Sequence, residues 1–185
     1  MPDETFRSLE TDRLILRPFV DDDLLAFVAY RSDPDTARYQ SWDPTFSLED
    51  GRHFLDGLRG TRPDTPGEWF QFAIADRATD QLLGDCAAHP EADDPRVVKV
   101  GYTLAPEHQG RGYATEAVRR LLDYLFLERD KHRVYATCDV RNEPSIALLE
   151  RLGMRREAHH LEDTWSKGEW CSGFTYAVLA REWRR

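Results

Sequence analysis

Gln109-Gly110-Arg111-Gly112-Tyr113-Ala114 joins a strand-like run ending at Leu104 to the clearest helical pattern in the chain. From Ala114 to Phe126, the residues Ala114, Ala117, Val118, Leu121, Leu122 and Leu125 recur at steps of three and four, while Glu116, Arg119, Arg120 and Asp123 hold the opposite side. Two glycines before such a helix let the backbone turn tightly and approach a ligand closely. The helix start offers unpaired N–H groups and a partial positive charge, to which Arg111 adds a mobile cation. The combination reads as a phosphate cradle. It is not a Walker A loop, because no Gly-Lys-Ser/Thr follows. It is not a dinucleotide fingerprint either, because Thr115 stands where a third small residue is needed.

Composition narrows the setting. The chain has 185 residues, 41% hydrophobic and 32% charged, which fits one globular domain, expected over residues 9–183. Its 25 basic and 34 acidic residues give a net charge of −9, which argues against nucleic acid or an anionic membrane as partner. Cys86, Cys138 and Cys171 are odd in number and form no CxxC pair, so neither a disulfide framework nor a zinc site is expected. The six histidines show no HExxH spacing, and His159-His160 on a strand would point to opposite faces. No metal site is expected. Met1 to Glu10 lacks the apolar stretch of a secretory leader, and no window approaches the roughly 18 apolar residues of a membrane span. The expected compartment is the cytoplasm.

Outward from the cradle, alternation or apolar runs predict strands at Thr11–Arg17, Trp69–Asp76, Leu82–Ala88, Val97–Leu104, His132–Val140, Arg155–Leu161 and Cys171–Leu179. Asp21–Asp23 reads as an acidic start to a helix through Val28, and Ser47-x-x-Asp50 as a cap for a second helix. Ser145–Leu152 reads as a short helix stopped by Gly153. A loop holding Trp165, Lys167 and Gly168 is expected between the last two strands.

Gln109-x-x-Gly112-x-Ala114 resembles the Q/R-x-x-G-x-G/A signature of the GNAT superfamily of acyl-CoA N-acyltransferases. Gly101-Tyr102-Thr103-Leu104-Ala105-Pro106-Glu107 is similar to the strand and bulge that precede that signature. Asn142-Glu143-Pro144-Ser145-Ile146-Ala147-Leu148-Leu149-Glu150-Arg151-Leu152-Gly153-Met154 is similar to the N-x-x-S-I-x-x-L-E-x-L-G-F block that follows it. Thr11 to Pro18 and Gly168-Glu169-Trp170 also fit. The likeness spans nearly the whole chain and points to the ribosomal-protein-alanine N-acetyltransferases and their small-molecule-modifying relatives. It implies an α/β (α+β) fold with a central mixed, mostly antiparallel seven-stranded sheet, splayed between its fourth and fifth strands and flanked by about four helices.

By the same resemblance, acetyl-CoA is the cosubstrate and lies in the splay between Val97–Leu104 and His132–Val140. Leu104 would bond the pantetheine arm. Gln109, Gly110, Arg111, Gly112, Tyr113 and Ala114 would form the pyrophosphate cradle, and Asn142 and Ser145 would contact the pantetheine and the sulfur. Asn142 and Ser145 are also the residue types that cap a helix, and the two roles are compatible. The partner is an amine acceptor, a protein N-terminus or a small molecule, and a homodimer is compatible with the family. Transfer is expected to be direct, with Ser145 and Tyr102 as catalytic residues. Ser145 takes the sulfur-stabilising role because Leu149 stands where many members carry a tyrosine acid. Lys99 stands near the glutamate base of many members, which leaves a water chain, Tyr102, His89 or Glu107 to accept the proton. Lys99 also favours the alternative of a non-catalytic acyl-CoA-binding module. Cys138 reads as a small packed hydrophobe rather than an acyl-carrying nucleophile. Trp42 and Trp165 fall in loops expected to flank the acceptor entrance, and the surplus acid is expected on the acceptor side.

Overall fold

Alternation decides which side of each strand is buried. Leu14 and Leu16 pack with Phe70, Phe72 and Ile74 on one face of a sheet, whereas Ala73 between them packs with Phe27, Tyr30 and Leu55 on the other. The structure, a computed structural model, describes residues 6–183. In chain order its elements are β1 (Leu9–Glu10), β2 (Leu14–Arg17), α1 (Leu24–Arg31), α2 (Pro34–Ala37), α3 (Leu48–Leu58), β3 (Phe70–Asp76), β4 (Leu82–Pro90) and β5 (Val97–Leu104). There follow α4 (Tyr113–Asp123), β6 (Arg133–Asp139), α5 (Glu143–Arg151), β7 (Arg155–Ser166), β8 (Glu169–Leu179) and α6 (Ala180–Trp183).

The strands form one sheet in the order β1-β2-β3-β4-β5-β6-β8-β7. Every neighbouring pair is antiparallel except β5 and β6, which α4 connects as a parallel crossover. The α1 and α3 side chains cover one face, and α4 and α5 cover the other. Among the described residues no helix is long and apolar enough to cross a membrane.

The sheet has eight strands rather than the expected seven. The predicted Thr11–Arg17 strand is interrupted by a turn in which Thr11 N donates to Leu14 O (2.9 Å) and Leu14 N donates to Thr11 Oγ1 (2.8 Å). The turn folds Leu9–Glu10 back on β2 as a separate short strand. Four helices have at least two turns, as expected, and α2 and α6 add single turns. The final loop is also shorter than expected. Lys167 and Gly168 both take positive φ (50° and 84°), the pattern of a two-residue hairpin turn, so β7 and β8 run on to Ser166 and from Glu169. The Ser47–Asp50 cap forms as expected, with Asp50 N donating to Ser47 Oγ and Ser47 N donating to Asp50 Oδ2. Asp21–Asp23 makes a 3₁₀ turn before α1, and Asp23 is buried against Arg17, whose Nη1 lies 2.7 Å from Oδ2.

The feature that shapes the site is the parting of β5 and β6. Their register covers only Val97, Val98 and Lys99 against Arg133, Val134 and Tyr135. Beyond those residues β5 stays with β4 up to Gly84↔Leu104, and β6 stays with β8 up to Asp139↔Gly173. The bulge expected near Leu104 is not in this ladder, whose register runs unbroken from Pro90↔Val98 to Gly84↔Leu104. The irregularity lies one strand away, where Ile74↔Gly84 is followed by Ala75↔Leu82. At Gly84 the close packing of β4 on β5 leaves no room for a side chain, since a Cβ would sit 2.2 Å from Thr103 O and 2.8 Å from Leu104 Cα.

Two alanine substitutions should therefore act with opposite signs. Gly84→Ala should lower stability by about 1–3 kcal/mol, the cost of overpacking a tight site. Gly57→Ala, inside α3 with nothing within 4 Å of the added carbon, should raise it by about 0.5–1 kcal/mol. Urea unfolding of both variants checks this; equal effects would show that the tight β4–β5 contact is not the cause.

Candidate active site

A cavity of about 990 Å³ occupies the gap between β5 and β6. At one end lie Gly110, Gly112, Tyr113, Ala114 and Thr115; at the other lie Asp35, Thr36, Tyr39 and Gln40; Tyr102, Cys138 and Ser145 line it between them. Ala105 N donates to Leu83 O, so alternation along β5 turns the peptide groups of Val100, Tyr102 and Leu104 away from β4 and into the gap. Leu104 O there accepts a hydrogen bond from Gln109 Nε2 at 3.0 Å.

The cradle is built from backbone. Gly110 and Gly112 have φ of 73° and 81°, values that L side chains rarely adopt, and a Cβ on Gly110 would meet nothing within 4 Å. Gly112 is the N-cap of α4, so the N–H groups of Tyr113, Ala114 and Thr115 have no partner within the helix. The first turn is fixed from outside by the β1–β2 turn. Thr11 Oγ1 donates to Glu116 Oε1 (2.6 Å), Arg13 Nε donates to Oε2 (2.7 Å), and Arg13 Nη1 donates to Arg111 O (3.2 Å). Arg13 also stacks over the Tyr113 ring at 4.5 Å. Across the cavity Arg151 Nη1 donates to Thr115 Oγ1 at 3.1 Å, which ties α5 to α4.

Tyr102 crosses the gap. Its hydroxyl lies 2.7 Å from Ser145 Oγ, with either oxygen able to donate, and donates to Ser145 O at 3.3 Å. Burial pushes the Tyr102 hydroxyl well above the ordinary phenol range, so it stays protonated across neutral pH. Asn142 Oδ1 accepts from Ser145 N (3.2 Å), so Asn142 caps α5 and sets the place of Ser145.

The matching family profile is the Acetyltransferase (GNAT) domain, over residues 13–155. The chain belongs to the GNAT family of N-acetyltransferases. It is 30% identical to the uncharacterized N-acetyltransferase YnaD of Bacillus subtilis, over 95% of this chain and 98% of that one. It is similar to the crystal structure of a GNAT-family acetyltransferase from Bacillus anthracis, with a TM-score of 0.85 at 30% identity over 95% and 99% of the two chains. The spermidine N-acetyltransferase of Vibrio cholerae, solved with CoA and spermine, shares the fold, with a TM-score of 0.81 at 22% identity over 95% and 100%. This GNAT chain is thus an acetyl-CoA-dependent acyltransferase.

Of the residues expected at the site of this GNAT enzyme, Tyr102, Leu104, Gln109, Gly110, Gly112, Tyr113, Ala114, Asn142 and Ser145 all line the one cavity. Arg111 is exposed beside it, and its carbonyl serves the Arg13 brace. The sequence reading missed Arg13 and Glu116, which are 103 residues apart and meet only in the fold. It also missed Tyr39 and Gln40. His89 and Glu107, two of the bases considered, do not line the cavity, and Lys99 lies below it in the paired part of β5.

Neither Trp42 nor Trp165 lines the cavity. Trp42 packs at 3.8 Å on the guanidinium of Arg31, and Trp165 stands exposed against Trp170 on the β7–β8 hairpin. That hairpin reaches α2, because Lys167 Nζ donates to Ala37 O at the end of that helix. Of the acid expected there, Asp139 is gripped twice by Arg141, which also pairs with Glu169 at 2.8 Å, so one guanidinium serves two carboxylates. Asp35 is the carboxylate of α2 that lines the cavity. Among the described residues no group of three or more His, Cys, Asp or Glu side chains is placed to hold a metal ion.

Burial pushes the Cys138 thiol up to about 11, against the opposing effect of its hydrogen bond with Ser145. A thiolate is the reactive form, and a thiol held this far above its ordinary value carries much less of it near pH 8. Cys138 should therefore be alkylated by iodoacetamide at least tenfold more slowly than a free thiol, as followed by peptide mass spectrometry. Alkylation at the rate of free cysteine would contradict the packed, protonated thiol.

Proposed function

We propose that this protein transfers the acetyl group of acetyl-CoA to a primary amine, either the α-amine of a protein N-terminus or the amine of a small molecule, in a direct ternary complex. The observation that carries this reading is the Tyr102–Ser145 pair at 2.7 Å, which spans the gap in a cavity that continues to the glycine cradle. The residues present suit the cosubstrate. The backbone N–H groups from Arg111 to Ala114 are open to a pyrophosphate, and positive φ at Gly110 and Gly112 brings the chain close without a side chain between. The peptide groups of Tyr102 and Leu104, turned into the gap, suit an extended arm running beside β5 like an added strand. Leu104 O, shared with Gln109, retains a second lone pair.

Acetyl-CoA supplies the activated carbonyl and a thiolate leaving group. The protein's part is to hold the two reactants together and to stabilise charge. Fixing both in one cavity converts a bimolecular encounter into an effectively unimolecular step. A hydroxyl with the raised pKa of Tyr102 does not transfer its proton fully to a thiolate, whose conjugate acid has a pKa of about 8.5. The pair instead acts by hydrogen bonding: when Tyr102 gives its one proton to Ser145 Oγ rather than to Ser145 O, the Ser145 hydroxyl can turn from Cys138 and donate to the sulfur as negative charge develops there. For an α-amine, with an ordinary pKa of about 7.7–8.0, a substantial neutral fraction exists near pH 7.5 and water can take the proton released. No dedicated carboxylate base is required for that class.

Release of CoA thiol should accelerate when acetyl-CoA is offered with a panel of amines that includes N-terminal peptides. Tight CoA binding with no amine raising thiol release above hydrolysis would overturn the reading. Gly112→Glu places bulk and negative charge in the cradle at a strained φ, and should reduce CoA binding by calorimetry to below detection. Ser145→Ala should lower kcat about 10- to 100-fold while changing CoA Kd less than threefold, the loss expected for one hydrogen bond strengthened in the transition state. The reverse pattern would make Ser145 a binding residue alone.

A further inference from the structure

The acceptor end of the cavity is walled by the segment that follows α2, and Gln40 is the side chain there that reaches β5. Its Nε2 donates to Thr103 Oγ1 at 3.2 Å and, more weakly, to Tyr102 O at 3.5 Å. A carbonyl oxygen only accepts, so Tyr102 O fixes which end of the amide faces the strand. The donor end of Gln40 is thereby spent on β5. Its Oε1 accepts no hydrogen bond from the described residues, while the residue lines the cavity next to Tyr102.

This placement is braced from behind. The Arg31 guanidinium is buried among rings, 3.8 Å from Trp42, 4.7 Å from Phe27 and 4.9 Å from Phe54. Trp42 Nε1 donates to Arg31 O at 3.1 Å, and Ser32 Oγ donates to Phe46 O at 2.7 Å, so the chain that follows Gln40 is tied twice to the C-terminus of α1. Asp85, fully buried on β4, accepts from the Tyr30 hydroxyl at 2.5 Å and lies 3.9 Å from Arg31. Asp85 pairs in register with Thr103, the residue to which Gln40 donates. The brace and the amide therefore close on the same point of the sheet.

We propose that Gln40 Oε1 is the hydrogen-bond acceptor that holds the incoming amine beside Tyr102 and Ser145 during transfer. The inference rests on the cavity being the N-acetyltransferase site proposed above. A neutral oxygen suits the step better than a carboxylate. A carboxylate would favour the ammonium form and so occupy the lone pair that must attack, whereas an amide oxygen orients an N–H and leaves the amine's basicity little changed. In the step the amine nitrogen forms a bond to the acetyl carbon and the carbon–sulfur bond breaks, with its electron pair leaving on sulfur. The proton that nitrogen gives up passes to water, and the thiolate regains one from solvent. Asp139 on β6 is held by Arg141, which leaves Asp35 of α2 as a carboxylate at that end of the cavity, suited to the ammonium form on arrival rather than to the neutral amine that attacks.

Gln40→Met keeps the length of the side chain and removes the amide. In the full-length protein, kcat and KM are measured with the amine that wild type uses best, and acetyl-CoA Kd is measured by calorimetry. The expected result is a fall in kcat/KM for the amine of about tenfold or more, the loss of one hydrogen bond. Acetyl-CoA Kd should stay within twofold. Trp42→Phe, which keeps a ring on Arg31 and loses the indole N–H, should raise acceptor KM by a smaller factor, again with acetyl-CoA Kd unchanged. Wild-type kcat/KM in Gln40→Met would overturn the assignment of Gln40, as would parallel loss of acetyl-CoA affinity in both variants. If wild type itself acetylates no amine, the acetyltransferase reading fails instead and takes this inference with it.

Discussion

Three register pairs hold β5 to β6, and then the two strands part. Nearly everything at the site depends on that separation. It persists because each strand keeps its other neighbour: β5 lies tightly on β4 at Gly84, and β6 stays in register with β8 as far as Asp139. Peptide groups that would have completed a ladder are left facing a cavity, and a buried unpaired backbone group is costly unless a ligand or side chain meets it. Gln109 meets one of them at Leu104 O. The gap is thus both a polar binding surface and the place where a side chain from one strand can reach a helix beyond the other, as Tyr102 reaches Ser145.

The parts brought to the gap come from distant stretches of chain. The cradle at the start of α4 is stiffened by Thr11 and Arg13, which converge on Glu116. The acceptor wall is stiffened by the buried Arg31 and its aromatic cage. Each brace acts on backbone that a ligand would touch, without itself lying between the reactants. Such preorganisation matters because a site built to place two molecules loses effectiveness steeply when its walls loosen.

Charge is distributed by local pairing more than by the net value. The chain carries −9 overall, yet its cradle consists of backbone N–H groups with Arg111, Arg119 and Arg151 close by. At the α2 end of the cavity the acids Asp139 and Glu169 share the one guanidinium of Arg141, and Asp35 lines the cavity beside them, so a net negative charge remains there. From that side a neutral amide, Gln40, reaches the Tyr102 carbonyl and the Thr103 hydroxyl on β5.

Much of the fold was legible in the chain because its signals are local. The i, i+3, i+4 pattern of α4, the Ser47–Asp50 cap, the turn glycines at 110 and 112 and the Asn142 cap of α5 each depend on residues within one or two turns of one another. The spaced motifs named the family, and with it the splay. The sequence by itself therefore determined most element types and the glycine turn before α4, and it singled out Tyr102, Asn142 and Ser145, which line one cavity. The break at Thr11–Arg13 was missed because a threonine side chain closing a turn competes with a strand-like alternation. The Lys167–Gly168 turn was taken for a longer loop because a lysine at positive φ is not a strong local signal. Only the tertiary structure decided that Arg13 serves Glu116, that Trp42 covers Arg31, and that Gln40 faces β5. Those contacts span about 11 to 103 residues of chain. They depend on how whole elements pack, which no local window of sequence encodes.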